Sequence, residues 1–129
     1  MTSFYSQTTR TVQRVHDQVA HDFTVYQYDW DGSGGTNEYA SGGDWTESSS
    51  TVAGTIEFPD DSRRTAGPDG DDVTVSVVIY MKPDDVDVEL GTDDESRATE
   101  FVDTQTGSRY QTVTIRNQRS LLAIECTEI

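Results

Sequence analysis

One stretch constrains this chain more than any other: Val73 to Met81, reading Val-Thr-Val-Ser-Val-Val-Ile-Tyr-Met. Five of its nine residues are apolar and β-branched, and Val73, Val75, Val77, Ile79 and Met81 alternate onto one face. Side chains branched at Cβ lose rotamer freedom in a helix and pack well on a pleated sheet. Val78 and Tyr80 make the second face partly apolar, which predicts a central strand. Gly67-Pro68-Asp69-Gly70 precedes it and Lys82-Pro83 ends it, a turn signal on one side and a proline stop on the other.

The rest of the chain repeats the theme in shorter pieces. Residues 1–8 read as a polar N-terminal arm carrying Phe4 and Tyr5, and residues 9–129 as one β-domain. Thr9 to Val15 reads as a short strand, His16 to Asp22 as a turn or short helix, and Phe23 to Trp30 as an aromatic strand pairing with the first. Asp31 to Gly43 is glycine-rich and aliphatic-poor, giving a long loop over 31–44. Trp45 then leads into a strand over Ser50 to Phe58. Gly54 falls on that strand's apolar face, which predicts a bulge or a close crossing.

A second long loop spans 59–72, with two prolines, two glycines, five aspartates and the pair Arg63-Arg64. Asp85 to Leu90 alternates and reads as a strand with an acidic outer face, followed by an acidic turn over Gly91 to Arg97. Thr99 to Val102 and Arg109 to Asn117 flank a turn containing Gly107. Ser120 to Glu128 closes the chain, with Leu122, Ile124 and Cys126 facing in and Arg116-Asn117-Gln118-Arg119 as the preceding tight turn. About seven short antiparallel strands at roughly ten-residue spacing, with no convincing helix, predict an all-β barrel or sandwich with long loops.

Charge is the strongest global feature. The chain carries a formal net charge of -15, and Lys82 is its one lysine. Self-repulsion on this scale opposes a compact state in dilute buffer, and molar salt shortens the Debye length to about 3 Å and removes most of it. Acidic surface, scarce lysine and abundant Thr, Ser and Gly together resemble the proteins of salt-in halophiles. The competing readings are an ordinary acidic domain and a disordered acidic chain, and the alternating strands argue against the latter. Clustered basic residues are what coating DNA demands, so that role is disfavoured. No apolar run approaches the roughly 20 residues of a membrane-spanning helix, and the first residues show no basic-then-apolar leader pattern.

Catalytic patterns are sparse. His16 and His21, five residues apart, read as exposed polar groups in a turn, and no His-Glu-x-x-His pattern is present. Cys126 alternates with Leu122 and Ile124, as a small buried hydrophobe would. Asp29-Trp30-Asp31-Gly32 and Asp69-Gly70-Asp71-Asp72 lack the spacing and closing glutamate of a calcium loop. The paired aspartates 60–61, 71–72, 84–85 and 93–94 read as solvated turn charges. No catalytic residue, metal site or cofactor is expected, and the chain does not read as an enzyme.

The arrangement as a whole resembles the head-closure, or stopper, proteins of tailed viruses, the small head–tail joining family. The matching features are a short polar and basic N-terminal strand (Thr9 to Arg14), a Trp-led strand (Trp45 to Phe58), a long variable loop, and a strong strand with a late aromatic (Val73 to Met81, with Tyr80). A Gly-x-x-Tyr turn, Gly107-Ser108-Arg109-Tyr110, and a terminal strand from Leu121 to Glu128 complete them. The glycine-rich insertion from Asp31 to Gly43 and the acidic stretch from Asp84 to Glu95 depart from the pattern. With its acidic composition the chain resembles a version from a virus of halophilic archaea.

The resemblance implies a homo-oligomeric ring in the virion neck, assembled in the host cytoplasm, with no membrane association. Its partners would be the portal and adaptor above, a tail terminator or tail tube below, and packaged double-stranded DNA in the channel. The 59–72 loop is then the channel-facing candidate, with Arg63 and Arg64 meeting phosphate and Asp60, Asp61, Asp69, Asp71 and Asp72 around them. Phe4, Tyr5, Arg10 and Arg14 are candidates for assembly contacts. Two other classes stay open. One is a different small virion part, such as a tail terminator or a tail or baseplate protein; a terminator is expected to show an amphipathic helix. The other is a haloarchaeal carbohydrate- or ligand-binding β-domain using Tyr26, Tyr28, Trp30 and Trp45.

Overall fold

A computed structural model describes residues 4–31, 44–59, 63–66, 72–91, 97–118 and 120–129. Helix α1 (Phe4–Val19) leads without a break in the chain into strand β1 (His21–Asp31). Strand β2 (Asp44–Glu57) follows, then β3 (Arg63–Ala66), β4 (Asp72–Val75), β5 (Val77–Met81), β6 (Glu100–Asp103), β7 (Arg109–Gln118) and β8 (Leu121–Glu128). Six of these strands close into an antiparallel barrel in the order β1-β2-β5-β8-β7-β6, with β6 returning to β1. Strands β3 and β4 form a separate two-stranded ribbon. Closure leaves the six barrel strands without a free edge.

The barrel interior is filled by alternating residues of every barrel strand. Phe23, Val25, Val52, Val77, Ile79, Met81, Phe101, Tyr110, Ile124 and Cys126 make one buried cluster. Gly54 is placed as its sequence position predicts, at a close crossing. A Cβ there would lie 3.1 Å from the Phe23 ring and 3.2 Å from two side-chain atoms of Met81. Gly91 serves a different need: at φ +70° it lies in the left-handed region, and a Cβ would meet the backbone nitrogen of Ala98 at 2.7 Å.

Several expectations are corrected. Thr9 to Val15 is helical, not a strand, because the segment contains no Gly or Pro and its valines recur at helical rather than alternating spacing. The helix begins at Phe4, inside the stretch read as an arm. The single strand expected from Val73 to Met81 is broken at Ser76. Ser76 still donates its N–H to the Cys126 carbonyl at 2.8 Å. The break shifts the alternation, so Val77, Ile79 and Met81 point into the barrel while Val75 packs outside with Val78, Ala123 and Tyr80.

Asp85 to Leu90 keeps its alternation but forms no ladder. Val86 and Val88 pack against the core, Gln27 holds the Asp87 carbonyl, and Glu89 and Thr99 bond through their backbones at 3.0 Å. Strand β7 runs on through Gln118, Ser120 lies in a turn just before β8, and the β7–β8 register slips between Thr112 and Thr114. The 59–72 segment is not wholly loop, since it contains β3 and meets the start of β4.

Candidate assembly surface

Helix α1 places Val12, Val15 and Val19 at i, i+3 and i+7, one apolar stripe. Such a stripe normally faces a core. Here Val12, Val15 and Val19 are 37%, 55% and 65% exposed. The helix is nonetheless tied to the outside of the barrel. Gln13 Nε2 donates to the Ser120 carbonyl at 3.0 Å, and Lys82 Nζ lies 3.1 Å from Asp17. The hydrogen bond to Asp17 and the field of Asp85 raise the Lys82 ammonium above its ordinary value.

His16, on the same helix, is buried. Its Nε2 lies 3.0 Å from the Tyr80 carbonyl oxygen, which can only accept, so that nitrogen carries the proton. Nδ1 makes no hydrogen bond among the described residues, and Asp17 stands 3.9 Å away. Between helix and sheet runs a groove of about 420 Å³. Val12, Val15 and Val19 form one wall, Thr55, Tyr80 and Leu121 the other, and His16 also lines it. The lining is almost wholly apolar.

The β3–β4 ribbon is the second external feature. β3 pairs with β4 in register from Arg63 opposite Val75 to Ala66 opposite Asp72. The ribbon does not stand free at its base: β4 runs against β8, β3 against β7, and Val75 packs on Val78 and Ala123. Glu125, beside Ala123, is 1% exposed and pairs with Arg116 Nε at 2.8 Å.

The outer faces of β1, β6 and β7 carry a third cluster. Glu100, 3% exposed, accepts a hydrogen bond from Arg109 Nε at 2.6 Å and has Arg97 at 3.6 Å. Arg109 also donates to the Tyr28 hydroxyl at 2.8 Å and lies over the Tyr26 ring at 4.5 Å, while Arg97 covers Tyr28 at 4.0 Å. Burial works against the Arg109 charge, but the hydrogen bond and field of Glu100 outweigh it and raise the guanidinium above its ordinary value. Burial, then the Glu100 carboxylate, pushes the Tyr28 hydroxyl up against the opposing pull of the two arginines. An arginine thus covers one face of each of these two tyrosine rings. Trp30 and Trp45 pack on each other across β1 and β2, centroids 5.1 Å apart.

The sequence-derived candidates divide unevenly. Arg63, Arg64 and Asp72 fall on the ribbon, Arg63 opposite buried Val75 and Arg64 opposite exposed Thr74. Asp60, Asp61, Asp69 and Asp71 lie outside the described residues. Phe4, Tyr5, Arg10 and Arg14 are all on α1, with Arg14 exposed. The two histidines are not exposed turn residues: His16 is buried, and His21 pairs with Asp103 at 3.0 Å while stacking on Phe23. Cys126 is buried among the core residues, and burial pushes its thiol far above the ordinary thiol range. The groove residues Val12, Val15, Val19, Tyr80 and Leu121 were not among the candidates, although the valine spacing marks the stripe in the sequence itself.

No protein-family model matches this chain, and comparison with curated proteins gives no match. No described helix is long and apolar enough to cross a membrane.

Proposed function

We propose that this chain is a non-enzymatic structural component of a tailed-virus neck, a ring-forming head-closure protein that helps retain packaged DNA. The observation that carries the reading is where the unfilled surface lies. Among the described residues the barrel interior is filled by side chains such as Phe23, Ile79, Phe101 and Ile124 at 0% exposure, as a narrow barrel's interior is. The apolar groove and the ribbon are both external, where a neighbouring protein would meet them. The strand order adds support, because the long connection between β2 and β5 is the part built into a ribbon, with two adjacent arginines on it.

In this reading the ribbon faces the channel and Arg63 and Arg64 meet DNA phosphate or a neighbouring acidic subunit. The acidic exterior, with one lysine, suits a virus of a salt-in host. Reversing both charges, Arg63→Glu with Arg64→Glu, should leave the circular dichroism of the purified chain unchanged and yield particles that lose packaged DNA. Particles that retain it normally would remove the ribbon from the channel. One alternative gains ground. An amphipathic helix is what separates a tail terminator from a closure protein in the sequence reading, and α1 is such a helix, so a terminator ring stands beside the closure ring.

A further inference from the structure

We infer that the groove beside α1 is a socket for Phe58 of a second copy of this chain. The inference deepens the ring reading and rests on it only for the premise that copies meet. Among the described residues the exposed large hydrophobics are Val12, Val15, Val19, Phe58 and Ile129. Three of them line the groove. Phe58 is 63% exposed at the end of β2 and is not seated in its own groove.

Charge matches the two surfaces as well as apolarity does. In a chain of net charge -15, the α1 segment carries Arg10 and Arg14 against Asp17 alone. The segment around Phe58 reads Glu57-Phe58-Pro59-Asp60-Asp61, an aromatic flanked by three carboxylates. The helix segment beside the groove is thus less acidic than the chain as a whole and the Phe58 segment more acidic, a contrast that favours this pairing between copies that otherwise repel. An aromatic anchor in a dry pocket with a charged rim is the usual form of an interface hot spot.

The test is sedimentation of the full chain in molar potassium chloride over a range of concentrations. The variants are Phe58→Asp and Val15→Asp, both at exposed positions, with circular dichroism and thermal unfolding confirming the fold. Wild type should associate, and each variant should weaken association by about tenfold or more, the effect of losing one anchor. Mixing the two variants should restore one contact per pair, since one supplies an intact groove and the other an intact Phe58, giving heterodimers and no larger species. Variants that associate as wild type does overturn the inference and leave the ring reading standing on another surface. A wild-type chain that stays monomeric at millimolar concentration also overturns it, while the neck role is then judged in assembled particles.

Discussion

At the scale of single residues, the account turns on positions where one atom more or less decides the packing. Gly54 is the sharpest. Adding a methyl would relieve unfolded-state entropy by up to about 1 kcal/mol, but it would press on Phe23 and on Met81 Cγ, neither a freely yielding group. Overpacking of this kind costs about 1–3 kcal/mol, so Gly54→Ala should lower stability by about 1 kcal/mol net in urea titrations at fixed salt. An unchanged midpoint would mean that β1, β2 and β5 cross less closely than described. The sequence showed this residue because a glycine on an apolar strand face has few other uses. It did not show that Ser76 would reverse the alternation of the strongest strand, since Val75 reads as core by pattern and is core only to the small outer cluster beneath the ribbon.

At the scale of elements, helix α1 shows where pattern reading failed and why. Its valines and threonines favour strands as isolated residues, but their spacing is helical, and spacing decides which face is apolar. Weak propensity was overridden by tertiary ties: the His16, Gln13 and Asp17 contacts to β5, Ser120 and Lys82. The Asp85 to Leu90 segment failed in the opposite way. Its period was right, but no barrel strand has an edge free to pair with it. The outer cluster on β6 and β7 was not legible at all, because no local pattern joins Tyr28, Arg97, Glu100 and Arg109. Its energetics are testable. Arg109→Ala leaves the Glu100 carboxylate buried with Arg97 alone at 3.6 Å. Breaking a buried pair costs about 3–5 kcal/mol, and because Arg109 is partly exposed and Arg97 remains, about 2 kcal/mol is the expected loss by thermal or urea unfolding. A loss no larger than a few tenths would show that the cluster is surface decoration.

At the scale of the whole molecule, fold class was the most legible property and the contact surfaces the least. Alternating β-branched segments specify a barrel because each must bury one face, and closure is the solution that leaves no edge. Where neighbours attach is set by which apolar groups the fold leaves uncovered, and that emerges only once α1 is seen lying on the barrel with its valines outward. The net charge of -15 adds a global expectation. Raising potassium chloride from tens of millimolar to molar should raise the melting temperature steadily, as screening removes self-repulsion; a flat or falling curve would contradict a salt-adapted surface. The central claim concerns place and assembly, and imaging of the intact particle's neck tests it most directly. The account predicts a ring of repeated six-stranded barrels between portal and tail, Phe58 of each copy against α1 of the next. A neck whose density is fully explained by other chains, with this barrel absent, would contradict it.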